Sequence, residues 1–164
     1  MSRTVDYYFA PQSPWTYLGH ARFLAMAKAA GATVRVRPMD LGKVFPISGG
    51  LPLAKRAPQR QAYRLMELKR FGQYLKQPLN IQPKYFPEVS DDAARLIIAV
   101  DIHDSPQAAL GLSGAIFAAV WAQERDIADA GVLADLLKEC KLDAQRLERS
   151  RAPEVQQDYD AYTQ

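Results

Sequence analysis

The alternation of apolar and polar positions divides the chain into two unlike parts. Residues 4–9, TVDYYF, gather β-branched and aromatic side chains into a short run that predicts a strand. Pro11 and Pro14 punctuate the turn after it. Ser13 stands where a helix N-cap belongs, with Pro14 at the first helical position. Beyond it Trp15, Leu18, Arg22, Met26 and Ala29 fall on one helical stripe, Phe23 lies beside it, and Gly31 supplies a stop. Residues 33–41, TVRVRPMDL, alternate again, with Val34 and Val36 to one side and Arg35 and Arg37 to the other. A strand, a helix of about 15 residues and a second strand predict a βαβ unit with parallel strands.

The pattern changes at residue 42. GKVFPISGGLPLAKRAP, 42–58, holds three Pro and three Gly and reads as a long loop. Residues 58–76 predict an amphipathic helix that turns Tyr63, Met66, Leu68 and Phe71 toward the core, and QPLNIQPKYFP, 77–87, predicts a second proline-rich loop. From residue 90 onward the pattern is helical only, over about 90–102, 106–124, 130–140, 144–151 and 154–163, with Ser90, Ser105, Asp129 and Asp143 as caps. The stretch 105–123 is uncharged. Its Ser, Gln and two Gly residues mark it as a central core helix, not a membrane span. Two parallel strands make a poor sheet by themselves, so the pattern supplies fewer strands than a stable sheet needs.

Composition narrows the picture. The 164 residues are 48% hydrophobic and 24% charged, as expected of one globular domain with a helical insertion. MSRTVDYYFA has no apolar stretch of secretory length. The single cysteine, Cys140, excludes an intramolecular disulfide and a CxxC pair, so a reduced, cytoplasmic setting is expected. The net charge of +3 conceals an asymmetry: residues 51–85 carry Lys55, Arg56, Arg60, Arg64, Lys69, Arg70, Lys76 and Lys84 against Glu67 alone. Such a stretch fits either an anionic ligand or a solvated face that pairs with the acidic C-terminal half. No nucleic-acid motif accompanies it. His20 and His103 are isolated, so no metal is expected, and no GxSxG elbow or Walker loop is present.

Ser13 carries the candidate chemistry. At a helix start its hydroxyl and the orphan backbone N–H groups converge where the helix dipole favours negative charge. The dipole contributes roughly 0.3–2 kcal/mol and a hydrogen bond to a charged group about 1.5–3 kcal/mol. Together they would lower the pKa of a thiol bound there by roughly 1.5–3, leaving it mostly ionised at neutral pH. A ligand that brought the sulfur would spare the protein a cysteine of its own. The residues alone leave open whether Ser13 does this or serves only as a cap.

The stretches YYFAPQSPWTYLG (7–19), PMDLGKVFPISGG (38–50), KRAPQRQAYRLMELKRF (55–71), PLNIQPKYFP (78–87) and DIADAGVLADLLKECKLDAQRLERS (126–150) carry a resemblance. Taken in order, they resemble the 2-hydroxychromene-2-carboxylate isomerase family, kin to the kappa-class glutathione transferases and more distantly to DsbA-type thioredoxin-fold proteins. The resemblance covers almost the whole chain, and the Ser-Pro-x-Thr/Ser-Tyr motif is its most specific part. It implies a thioredoxin-like α/β fold, with the β-α-β start over 1–41 and a loop and large all-helical insertion over 42–164. It implies glutathione as cofactor, with Ser13 hydrogen-bonding the sulfur and Pro14, Trp15, Arg60 and Lys84 around it. Lys43, Phe45 and Phe86 would meet a small aromatic carboxylate.

The implied activity is glutathione-dependent isomerisation of an aromatic-degradation intermediate: the thiolate adds to a conjugated carbon, a bond rotates, and the thiolate leaves. A kappa-like transferase and a non-catalytic thioredoxin-fold binding module are the alternatives. Two positions depart from the family pattern. Arg60 replaces a common lysine and would hold a carboxylate bidentately. Gly50 replaces a common asparagine, which puts the chromene substrate itself in question. Members of that family continue past RAPEVQQDYDAYTQ with a strand pair and a helix, carrying a cis-proline loop and groups for the glutamyl end of glutathione. The resemblance therefore implies that the C-terminal ββα part is missing from this chain. A sheet so shortened is expected to form a homodimer, to borrow a partner's elements, or to leave an apolar groove beside the first strand.

Overall fold

The computed structural model describes residues 3–87 and 89–164. Strand β1 (Arg3–Phe9) runs parallel to β2 (Ala32–Pro38), with Val5 opposite Val34, Tyr7 opposite Val36 and Phe9 opposite Pro38. Helix α1 (Pro14–Ala29) is the crossover between them. Val34 and Val36 are buried as their alternation requires, and on the other face the Arg35 guanidinium donates to Asp6 at 2.6 Å. These are the only two strands among the described residues.

The rest is helical: α2 (Leu41–Ser48), α3 (Pro58–Leu75), α4 (Asp91–His103), α5 (Pro106–Trp121), α6 (Ala130–Glu139), α7 (Arg146–Arg149) and α8 (Pro153–Thr163). Helices α4 and α5 form the centre, where Leu96, Ile97, Leu112, Ile116, Phe117 and Trp121 are all fully buried. Each such side chain contributes about 1.5–3 kcal/mol on leaving water, so these two helices anchor the small sheet. The Phe9 ring meets Phe117 edge-on at 5.3 Å, and one core runs from β1 and β2 through α5 to Leu133 and Leu137 of α6. On the other side of α4, Ala94, Ile98 and Ala99 receive Val155 and Tyr159 of α8. The α5 stretch is buried as the sequence predicts. Its one buried hydroxyl, Ser113, donates to the Ala109 carbonyl at 2.7 Å. Among the described residues no helix is long and apolar enough to cross a membrane.

Four expectations are corrected. The stretch 42–58 is not one long loop: α2 and a 3₁₀ turn at Leu53–Lys55 lie within it. The Asp40 carboxylate accepts from the Gly42 N–H at 2.7 Å and starts α2, and left-handed Gly49 stops it (φ 75°). Pro46 lies inside α2, and a helix this short loses only one backbone bond to it.

The buried stripe of α1 is Pro14, Tyr17, Leu18, His20 and Ala27, while Trp15 and Met26 of the expected stripe are exposed. His20 displaces the stripe. It is a core histidine with both ring nitrogens engaged: Tyr7 Oη donates to Nδ1 at 3.2 Å, and Nε2 donates to the Leu110 carbonyl at 3.0 Å. Burial pushes its pKa down and keeps it neutral.

On α3 only Leu68 and Gly72 are buried, whereas Tyr63, Met66 and Phe71 are exposed. Gly72 sets this face, because Leu79 and the Gln77 carbonyl lie 3.4–3.5 Å from where its Cβ would stand.

Finally, Ser90 does not cap α4. Its hydroxyl donates to Gln12 Oε1, which ties the start of α4 to the turn before α1. Ser105 and Asp129 do cap, accepting from Ala108 N–H at 3.1 Å and from Gly131 and Val132 N–H at 2.6 and 3.0 Å. The Asp143 carboxylate accepts from Gln145 N–H at 2.9 Å, a turn ahead of the single-turn α7.

Candidate functional site

The turn from β1 into α1 is built on Ser13. Its backbone is extended (φ −77°, ψ 124°), and its N–H donates to the Ala10 carbonyl at 3.0 Å. Ser13 Oγ accepts from the Thr16 N–H at 3.3 Å, and the Ser13 carbonyl accepts from the Tyr17 N–H at 3.1 Å. Pro14 has no N–H to leave unpaired, and its buried ring packs into the turn. The Trp15 N–H is thus the first-turn donor without an acceptor among the described residues. No acidic side chain occupies this turn, so the positive end of the α1 dipole is uncompensated.

Trp15 leads from that turn into a cavity of about 260 Å³ lined by Trp15, Arg56, Arg60, Tyr63, Arg64 and Glu67. The Trp15 indole meets the Phe71 ring edge-on at 5.7 Å. Two of the three guanidiniums are held in place. Arg56 Nε donates to the Leu51 carbonyl at 2.8 Å, and the group lies 6.0 Å from the Phe45 ring centroid. Arg64 lies 5.2 Å from the Phe86 centroid and 5.9 Å from that of Trp121, the two rings themselves being 4.9 Å apart. Burial first, and then the like charge of Arg56, pulls the Arg64 pKa below the usual arginine value. Arg60 projects from the first turn of α3 and is exposed.

The structure thus brings Trp15 and Arg60 to one cavity beside the turn that Ser13 caps. It puts Phe45 and Phe86 beside two of the cavity's arginines. Lys43 and Lys84 are not among the lining residues: Lys43 pairs with Asp160 at 3.2 Å, and Lys84 Nζ lies 4.8 Å from the Tyr85 ring centroid. Gly50 matters to this wall, since a Cβ there would stand 2.6 Å from Phe45 Cδ1. Arg56 and Arg64 went unrecognised as individual site residues. Arg64 had a signal in its spacing of four from Arg60, which puts both on one side of α3, whereas Arg56 lies before the helix in extended backbone and no helical spacing pointed to it. Among the described residues no group of His, Cys, Asp and Glu is arranged to hold a metal ion.

A family model described as a DSBA-like thioredoxin domain matches residues 4–164. Among solved structures, 2-hydroxychromene-2-carboxylate isomerase superposes with a TM-score of 0.78 at 23% identity, over 98% of this chain and 77% of that one. The cytosolic disulfide reductase DsbM from Pseudomonas aeruginosa superposes with a TM-score of 0.69 at 20% identity, over 97% of this chain and 76% of that one. Its structure with GSH superposes with the same TM-score at 19% identity, over 97% of this chain and 77% of that one. At these identities the likeness shows a shared fold, thioredoxin-like and of the DsbA kind, with mostly helices and a small parallel sheet. No curated protein matches the chain.

Proposed function

The chain belongs to the DsbA-like thioredoxin domain family, and from that premise we propose that it binds glutathione against the first turn of α1 and acts as a glutathione-dependent isomerase. The substrate in this reading is a small conjugated carboxylate of the kind met in aromatic degradation. The observation that carries it is the Ser13 hydroxyl at the uncompensated start of α1, next to an unpaired Trp15 N–H. Dithiol redox chemistry would need a cysteine pair. The one cysteine is Cys140 at the C-cap of α6, where burial and then the charge of Glu139 push its thiol up, away from reactivity.

The donor set fits the tripeptide. Glutathione, when bound, supplies a nucleophilic sulfur. Ser13 Oγ and the Trp15 N–H hold negative charge at that sulfur, and Pro14 fixes the turn that aims them. Arg60 takes a glutathione carboxylate through its planar fork. Trp15 and Tyr63 present flat apolar walls that exclude water, with Phe45 and Phe86 supporting the arginines behind them. Lys84 acts from outside the cavity as a cation that draws anions toward it, whereas Lys43 would have to leave Asp160 to meet a substrate carboxylate. The reading includes a cytoplasmic setting, where glutathione is kept reduced. It also includes a homodimer, which the exposed Val5 and Tyr8 on β1 support.

Calorimetric titration with glutathione tests the binding half, and a chromene carboxylate supplied with glutathione tests the reaction. Saturable heat that is lost in Arg60→Gln, together with glutathione-dependent isomerisation, is the expected result. An absence of heat at millimolar glutathione would make the domain a binding module for something else. Conjugation of a halonitroarene without isomerisation would make it a transferase.

A further inference from the structure

The cavity carries more positive charge than one glutathione carboxylate balances. Arg56, Arg60 and Arg64 face it against Glu67 alone, and none of the three pairs with a carboxylate among the described residues. Unpaired guanidiniums held close together repel one another, so the arrangement favours an anion between them. The outer two are also pre-set. The Nε of Arg56 is committed to the Leu51 carbonyl, and the Gln61 side-chain amide donates to the Arg56 carbonyl at 2.8 Å. Arg64 is half-buried against Phe86 and Trp121. Little side-chain freedom remains to be lost when either group takes a ligand, which favours tight and directional binding.

We propose that Arg56 and Arg64 form a second anion seat, separate from Arg60, which selects an acceptor molecule with two carboxylates on a flat, unsaturated body. The two charges match the two guanidiniums. The flat body matches the exposed faces of Trp15 and Tyr63, which line the cavity of about 260 Å³ together with the two guanidiniums. The lowered Arg64 pKa agrees with a half-buried guanidinium that feels the like charge of Arg56. This inference deepens the proposed function and rests on it only in giving Arg60 to glutathione.

Calorimetry on the full chain tests it with phthalate and maleate as diacid probes, benzoate and crotonate as their monoacid counterparts, and inorganic phosphate as a compact dianion. The diacids should bind at least about tenfold more tightly than the monoacids, as expected for one added charge-assisted contact. Arg56→Gln and Arg64→Gln should each remove that preference. Arg56→Lys and Arg64→Lys, which keep the charge but lose the fork, should lower it part-way. Arg22→Gln, on an exposed part of α1, should leave it unchanged. Equal affinity for diacids and monoacids in the unaltered protein would overturn the proposal without recourse to any variant. Phosphate binding as tight as phthalate binding would overturn it as well. Glutathione titrations run in parallel separate the two readings. Lost glutathione binding with an intact diacid preference defeats the proposed function and leaves the second seat standing. Intact glutathione binding with no diacid preference does the reverse.

Discussion

Replacing Ser13 by alanine separates a hydroxyl that serves sulfur from one that merely caps a helix. As a cap, Ser13 Oγ accepts one backbone N–H, that of Thr16, at a rather long 3.3 Å. Its loss should cost about 0.5–1 kcal/mol, the lower part of the range for N-cap removal. The Ser13 carbonyl contact to the Tyr17 N–H survives the change, so the helix keeps its start. As a thiolate partner the hydroxyl does something further. A hydrogen bond to a charged group is worth about 1.5–3 kcal/mol, so its removal should raise the pKa of a bound glutathione thiol by about 1–2. The dipole and the Trp15 N–H remain in the variant, which is why the thiol should not return the whole way to its free value. The assay is thiolate absorbance in the ultraviolet, followed against pH with glutathione bound to each protein. Turnover should fall at neutral pH and recover in part at higher pH, where the thiol ionises unaided. Coincident titration curves, with only a lower melting temperature, would refute a role for Ser13 in holding sulfur.

Two further outcomes follow from the packing. His20 titrates near pH 6.5 when unfolded but only at lower pH when folded, so between those values the unfolded chain binds the extra proton and acid weakens the fold. Urea midpoints should therefore fall as pH drops below about 6.5, and His20→Gln should flatten that slope; an unchanged slope would mean that other groups set it. Leu68 is fully buried on a helix otherwise only lightly attached, so Leu68→Ala should cost about 2–3 kcal/mol by denaturant unfolding, and a loss under about 0.5 kcal/mol would show that α3 does not rely on it.

The sequence made the βαβ unit legible because its signals are local: two short β-branched runs, a Ser-Pro helix start and a glycine stop. The core position of α5 was legible from its composition, an uncharged apolar run whose Ser, Gln and two Gly mark it as buried and not membrane-spanning, while the place of α4 beside it was not read. What escaped depends on partners distant in sequence. His20 looked polar because Tyr7 and the Leu110 carbonyl, which satisfy its ring, are 13 and 90 residues away. Arg64 looked like a solvated charge because Phe86 and Trp121, which take its flat face, belong to other elements. Tyr63, Met66 and Phe71 looked like core because periodicity reports that a helix has an apolar side without saying whether anything covers it. The Asp40 cap shows a smaller limit: three prolines and three glycines outweighed one Asp-x-Gly start, and a real helix was read as loop.

The light attachment of α3 has a consequence for how such a domain can change. Its buried residues are Leu68 and Gly72, and the central core of α4 and α5 does not depend on its outward face. Yet Arg60, Tyr63 and Glu67 of that face line the cavity, while Arg64 reaches inward to Phe86 and Trp121. In the proposed reading, recognition and structural integrity therefore sit largely on different parts of the chain, with Arg64 shared between them. Substitutions along the α3 surface can alter which molecules are accepted while drawing little on the stability reserve of the domain, so the usual conflict between innovation and folding is relaxed there. A lineage could keep the Ser13 turn and its core intact and explore new substrates through one helix.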